Sequence, residues 1–180
     1  MTLRLNGTTS GYSEIDAPAV ATNESYILSG IGGVIDRLQR PGNVLQVVNA
    51  TYSTLVANAT NVYADTGLTA TIAPTSASSK ILVLVSQAGL YKQTGSPSTG
   101  ISLRLMRGTS SLIEFEKAAG STATSSDLIL SASNTSYLDS PATTSSVTYK
   151  TQFKNVVNAA TVSVQSNSDV STITLMEIAA

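Results

Sequence analysis

Histidine and cysteine are both absent from this 180-residue chain. Without cysteine there are no disulfides, no thiol chemistry and no Cys-based metal sites. Without histidine, the Ser-His-Asp and Cys-His arrangements, imidazole metal sites and the commonest general base go as well. Tryptophan is missing and aromatics make up 5% of the residues, which leaves little for base-stacking platforms. Charge is scarce too. Charged residues are 12% of the chain, about half the usual share, and the net charge is −1. Lys and Arg are scattered rather than gathered into a stripe, so nucleic-acid binding by counterion release has no footprint. No run of about 18 apolar residues is present, and no membrane insertion is expected. Residues 1–20 carry Glu14, Asp16 and Pro18 and lack an apolar core, so no secretory signal is expected either.

What fills the gap is hydroxyl. About fifty residues are Ser or Thr, well above average usage. Hydrophobic residues are 42% and the mean hydropathy is +0.15, enough for a packed core. A surface of hydroxyls instead of charges fits a β-rich protein that neighbours cover, or one displayed outside a cell.

Residues 3–28 hold three short β-like pieces, "LRLNG", "YSEID" and "ESYIL". The first two flank "GTTSG", a turn of hairpin length, and "APAV" stops the second because proline cannot donate to a ladder. Strands this short cannot bury a core by themselves. "SGIGGVIDRLQRPGN" (29–43) reads as a linker or short helix and marks the boundary between an N-terminal arm, 1–43, and a main domain, 44–180.

From Val44 onward the pattern is β. "VLQVVNATYSTLV" is a long strand candidate, and "TATIAP" is closed by Pro74. "SSKILVLVSQAGLY" is apolar at Ile81, Val83 and Val85 and again at Leu82 and Leu84, which predicts a strand buried on both faces. "ISLRLMRG" places Ile101, Leu103 and Leu105 inward with Arg104 opposite. "SSLIEFEK" and "SDLILSAS" follow. "SSVTYKTQFKN" alternates strictly: Val147, Tyr149, Thr151 and Phe153 on one face, Thr148, Lys150, Gln152 and Lys154 on the other. "ATVSVQS" and "STITLMEI" complete eight to ten strands. The fold class is all-β, an antiparallel β-sandwich of jelly-roll type behind a short β arm.

Chemistry is thinly represented. "SGIGG" lacks the G-x-G-x-x-G spacing and any following lysine, so a joint is the better reading than a phosphate loop. Glu114 and Glu116 in "IEFEK" are two apart and are expected to share a strand face beside Lys117, as solvated residues rather than a glycosidase pair. Asp16, Asp127 and Asp139 stand alone near turns. "SNSD" (166–169) offers oxygen ligands without a second acidic residue nearby and reads as a turn. No catalytic residue, cofactor or metal is therefore expected. The loops at 92–100, 120–127 and 139–145 are expected to face outward. Tyr91, Thr94, Ser96, Ser98, Ser121, Thr124 and Tyr137 are the candidate surface-recognition residues, suited to a host glycan or protein. The two tyrosines read more readily as residues at the rim of the core.

The stretches "LRLNGTTSGYSEIDAPAV", "SYILSG" and "PGNVLQVV" resemble a motif of tail-fibre and other virion surface proteins of tailed bacteriophages. "YADTGLTATIAPTSASSKILVLVSQ" is similar to a β-sandwich module downstream of it, notably in phages of marine and cyanobacterial hosts, with "DTGLTATIAPTSASSKILV" the most specific part. The resemblance spans residues 3–90. This chain departs from it with "LSG" where Leu-Pro is usual, and with the extra "VIDRLQR". It implies a non-enzymatic homotrimer on the particle, attached to other capsid or tail proteins through residues 1–43. In such a trimer Leu3, Leu5, Ile15 and Ile27 would be shared among the arms. A capsid decoration protein that stabilises the head is the alternative. Either would be made in the host cytoplasm and leave by lysis, which agrees with the missing signal.

Overall fold

The structure is a computed structural model, and it describes residues 41–93, 95, 98–122 and 125–180 together with the backbone of 3–6 and 12–15. The expected strand over "ESYIL", the joint over 29–40, and Ile27, Thr94, Ser96 and Thr124 lie outside the described residues. The chain divides into two units, Met1–Arg37 and Leu38–Ala180. In the first, β1 (Leu3–Asn6) pairs antiparallel with β2 (Tyr12–Ile15), Leu3 opposite Ile15 and Leu5 opposite Ser13.

The second unit contains ten strands: β3 (Val44–Tyr52), β4 (Val56–Asn58), β5 (Ala64–Ile72), β6 (Lys80–Lys92), β7 (Ile101–Arg107), β8 (Ser110–Ala119), β9 (Leu128–Asp139), β10 (Val147–Asn155), β11 (Val162–Val164) and β12 (Ser171–Ile178). No α-helix occurs among the described residues. In the first sheet, β6 runs along β9 on one side. On the other it meets β12 over residues 80–86 and β11 at 91–92. β12 then carries β3, and β11 carries β4. Because β3 leads into β4 and β11 into β12, this sheet amounts to four rows: β3/β4, β11/β12, β6 and β9. The second sheet has the order β5-β10-β7-β8. Taken in chain order, the eight rows fall in the first, second, first, second, second, first, second and first sheet. That is the interleaving of a jelly roll, two Greek keys folded into a sandwich.

Alternation decides which side of each strand faces the partner sheet. On β10, Tyr149, Thr151 and Phe153 are fully buried while Lys150, Gln152 and Lys154 are half-exposed. On β7, Ile101, Leu103 and Leu105 are fully buried. The core is two apolar cells. One gathers Leu68, Ile72, Ile81, Val83, Leu105, Tyr149, Ile173 and Leu175; the other gathers Leu90, Ile101, Leu103, Phe153, Val162 and Val164. Between them runs a polar belt from sheet to sheet. Thr66 Oγ1 meets Thr151 Oγ1 at 2.5 Å, Thr151 donates to Gln87 Oε1 at 2.8 Å, and Gln87 Nε2 and Gln165 Nε2 donate to Ser171 Oγ at 2.9 and 3.0 Å. All five side chains are fully buried, so each of these bonds offsets a desolvation cost of about 1–3 kcal/mol that an unpaired group would leave.

Two glycines sit where no side chain fits. Gly67 has φ +88°, and a Cβ there would lie 2.3 Å from the Tyr52 ring. Gly89 has φ +62°, and its Cβ would lie 2.5 Å from the Ser166 backbone nitrogen. The kink at Gly89 breaks the alternation on β6, so that Gln87 and Leu90, three residues apart, are both buried.

Two expectations are corrected. β6 is not buried on both faces: Ile81, Val83 and Val85 are in the core, whereas Leu82 is half-buried and Leu84 is 36% exposed. Glu114 and Glu116 do not share a face. In the β7–β8 register Glu114 stands opposite Arg104 and Glu116 opposite Leu103, so Phe115 is an extra residue, a one-residue bulge. Glu114 therefore points outward with Arg104. Glu116 points inward with Leu103 and accepts from Ser133 on the facing sheet.

Candidate functional surfaces

The antiparallel register places the loops at one of two ends, apart from 53–55 and 165–170, which lie within the rows of the first sheet. Lys92 is paired with Leu128, so the 93–100 and 120–127 loops share an end. The 156–161 loop joins them, with Gln93 N donating to Thr161 O and Val156 N to Gly100 O. At the other end, Ile81 is opposite Asp139 and Tyr149 opposite Arg107. There lie the 73–79 loop, the tight Gly108–Thr109 turn, the 140–146 loop and residues 41–43. The three loops expected to be displayed are thus split: 139–145 belongs to the end where residues 41–43 lead into β3, and the other two to the far end. The thirteen residues of β6 separate the ends by about 40 Å.

Ser98 and Ser121 are exposed in those far loops. Tyr91 is half-buried at the penultimate position of β6 and hydrogen-bonds the Asp127 carboxylate. Desolvation and that carboxylate push its phenol above the usual tyrosine range. Tyr137 is not in a loop. It lies within β9, opposite Val83, half-buried against the first apolar cell. The long β9 extends through Asp139, so Asp139 ends a strand rather than standing alone in a turn.

Asp139 is not isolated either. Its carboxylate, 5% exposed, accepts from both contacts of Arg107 Nη1 at 2.9 Å and from the Tyr149 hydroxyl at 2.6 Å. Burial and the hydrogen bond to Asp139 push the Tyr149 phenol far above its ordinary value. Arg107 also borders an open cleft of about 430 Å³ with Thr109, Pro141, Thr143 and Ser146. No carboxylate lines this cleft.

The other carboxylates on β5, β8 and β12 are equally engaged. Glu177 is fully buried. It accepts from Gln46 Nε2 at 2.6 Å and from both the backbone and hydroxyl of Thr75 at 2.7 Å. Burial opposes its ionisation, yet these donors outweigh it and hold the carboxyl down to about 2. Asp65 accepts from Lys150 at 2.8 Å and Gln152 at 2.6 Å; desolvation works against these bonds, which still hold it below the usual range. Glu114 accepts from the Tyr63 hydroxyl, and desolvation plus that bond raise the phenol. Lys92 is fully buried and donates to Thr122 Oγ1 at 2.9 Å. Among the described residues no three acidic side chains gather as a metal site would require.

The two outer faces of the sandwich differ. On the second sheet, Asp65, Lys150, Gln152, Arg104, Glu114 and Lys154 form a connected polar surface around Tyr63. The Arg104 guanidinium stacks 3.9 Å from the Tyr63 ring centroid, Lys154 Nζ lies 5.0 Å from it, and Arg104 bonds Gln152 Oε1 at 2.9 and 2.6 Å. On the first sheet, register aligns rows across all four strands. Val47, Met176, Leu82 and Leu138 make one row; Asn49, Thr174, Leu84 and Ser136 the next; Thr51, Thr172, Ser86 and Asn134 the third. Val44, Ile178 and Lys80 close the row at the 41–43 end. Val47 is 55% exposed and Leu138 52%. Sequence reasoning took Leu82 and Leu84 as core and so missed this surface. The signal was present in the spacing, because Leu82, Leu84 and Ser86 alternate with the core residues.

No family model and no curated protein matches the chain. Among solved structures it is similar to the VP2 capsid protein of infectious bursal disease virus in a subviral particle, at 13% identity and a TM-score of 0.39 over 97% of this chain and 45% of that one. It is also similar to the structures of the Gt strain, at 14% identity and a TM-score of 0.35, and of the Gx strain, at 16% and 0.38. The chain spans less than half the length of the capsid chains it matches.

Proposed function

We propose that the chain is a non-enzymatic structural protein of a bacteriophage virion. It self-associates as a trimer, is held to capsid or tail proteins through residues 1–43, and presents a jelly-roll sandwich at the particle surface. The polarity of the sandwich carries this reading. The small-residue loops 93–100 and 120–127, whose one charge is Asp127, lie about 40 Å from the end where residues 41–43 lead in, so one end is available for attachment and the other for display. The resemblance of residues 3–90 to phage fibre-type proteins supports it. So does the chemistry of strands β5, β8, β9 and β12, whose carboxylates are taken up by structural hydrogen bonds.

The test is immunogold electron microscopy, with antibodies against the full chain, on particles released from the producing host. Gold at the tail tip supports a fibre with host contact. Gold over the capsid supports the decoration alternative. Particles that carry none of the chain, together with turnover of host polysaccharide by the purified protein, would overturn the reading.

A further inference from the structure

We infer that the outer face of the first sheet is a contact surface between copies of this chain; the inference rests on the self-association proposed above and names the face that serves it. It starts from where each sheet keeps its charges. In β3, β4, β6, β9, β11 and β12 the charged side chains are Lys80, Lys92, Asp139 and Glu177. All but Lys80, at the end of β6, are buried. A sheet facing water normally does the reverse, charges outward and apolar groups inward. Most charges of the second sheet follow that rule, with Asp65, Arg104, Glu114, Lys150 and Lys154 on its outer side, while Glu116 and Arg107 turn inward.

The rows of the first sheet therefore form a face whose one charge is Lys80 at its edge, with an apolar stripe, Val47–Met176–Leu82–Leu138, flanked by Leu84, Val44 and Ile178. From the Val44–Ile178 row to the Thr51–Thr172 row it measures about 19 Å by about 23 Å, roughly 440 Å² in projection. A standard interface buries about 800 Å² per partner, so the face is half of one. That is too small to hold an isolated pair and fits one of the contacts repeated around a closed ring. A second copy is the occupant that the chemistry favours. Beyond Lys80 at the edge an acidic or basic partner finds no opposite charge here, whereas identical copies bring only that one like charge to the rim and offer apolar and hydroxyl rows to one another. The stripe also lies beside residues 41–43. Copies tethered through the segment before them would meet here at high effective concentration.

The cysteine-free chain makes the test direct. Val47→Cys and Leu138→Cys probe the stripe, and Thr71→Cys, exposed on the second sheet, is the control. Light scattering on the full-length wild type is expected to give about 55 kDa, three times 18.5 kDa. In the assembled state the stripe cysteines should react with a maleimide at least about tenfold more slowly than Thr71→Cys, and the gap should close in denaturant. The double variant Val47→Lys/Leu138→Lys should fall toward 18.5 kDa with its β circular-dichroism signal intact, while Thr71→Lys stays assembled. An assembled wild type whose stripe cysteines label as fast as the control overturns this inference and leaves the trimer standing. A monomeric wild type at micromolar concentration overturns both.

Discussion

The two sheets of the sandwich are built from similar strands but handle charge in opposite ways. The second sheet wears its charges as a network on the solvent side: Asp65 with Lys150, Arg104 over Tyr63, and Glu114 on the Tyr63 hydroxyl. The first turns Glu177, Asp139 and Lys92 inward and leaves its outer side with no charge but Lys80 at the edge. Ions at the surface are cheap and contribute little; ions in the core are costly unless every lone pair is met. A fold that places its few charges in the costly location, and omits them from the cheap one, is shaped by a demand on the outer face other than solubility. Perturbing each class of charge should reveal two scales of effect.

The largest is expected at Glu177. Its carboxyl sits at about 2 against an ordinary 4.5, so the ionised form is bound by the fold. The shift is downward. The stabilisation is thus fully present above pH 4.5 and is lost as pH falls toward 2, on the order of 3 kcal/mol over that window. Urea midpoints measured from pH 7 down to pH 2.5, at fixed protein concentration, should drop steeply below 4.5. Glu177→Gln keeps the shape but turns an NH2 toward Gln46 or Thr75. It should cost about 2–3 kcal/mol at pH 7 and flatten much of the acid slope. A variant as stable as wild type would mean that this buried ion is no part of the first sheet's stability.

How much of this was legible beforehand follows from the range of the interactions. Alternation is local, so "SSVTYKTQFKN" announced β10 and both its faces, and "ISLRLMRG" announced β7. The pairing is not local. β3 lies beside β12, at the far end of the chain, and nothing within either segment says so. The Phe115 bulge is a slip of one residue that reverses Glu116, and only the register against β7 exposes it. Asp139 resembled a turn residue because its partners, Arg107 and Tyr149, come from two other strands. The outer stripe was misread because Leu82 and Leu84 carry the residue type of a core without its neighbours. Of the candidate recognition residues, Ser98 and Ser121 fell in exposed loops as composition implied, while Tyr137 went into β9 because "SNTSYLD" continues an alternating strand.

An intermediate effect is expected on the second sheet. Arg104→Ala removes two charge-assisted bonds to Gln152 and the stacking on Tyr63. Partial exposure limits the loss to about 1–2 kcal/mol in urea unfolding, with Lys154 left as the remaining cation near the ring. Tyr63→Phe should cost less than Arg104→Ala, because it keeps the ring under the guanidinium and gives up only the bond to Glu114.

The smallest effect should come from Lys150→Ala, which deletes the 2.8 Å pair with Asp65. Both side chains are partly open to water, at 28% and 53%, so the pair is screened and its contribution should be about 0.5 kcal/mol at low salt. At 1 M salt the Debye length shrinks to about 3 Å and the difference from wild type should vanish. Asp65 is held below its usual range, so whatever the pair contributes is present at neutral pH and fades as the carboxyl protonates in acid. The Glu177 loss, by contrast, should be indifferent to salt because no mobile ion reaches it. The pairing of these two results is what sharpens the contrast between the sheets. If Lys150→Ala proved as costly as Glu177→Gln and equally indifferent to salt, the outer side of the second sheet would be shielded in the assembly too. The charge-poor face of the first would then lose its standing as the side that meets another copy.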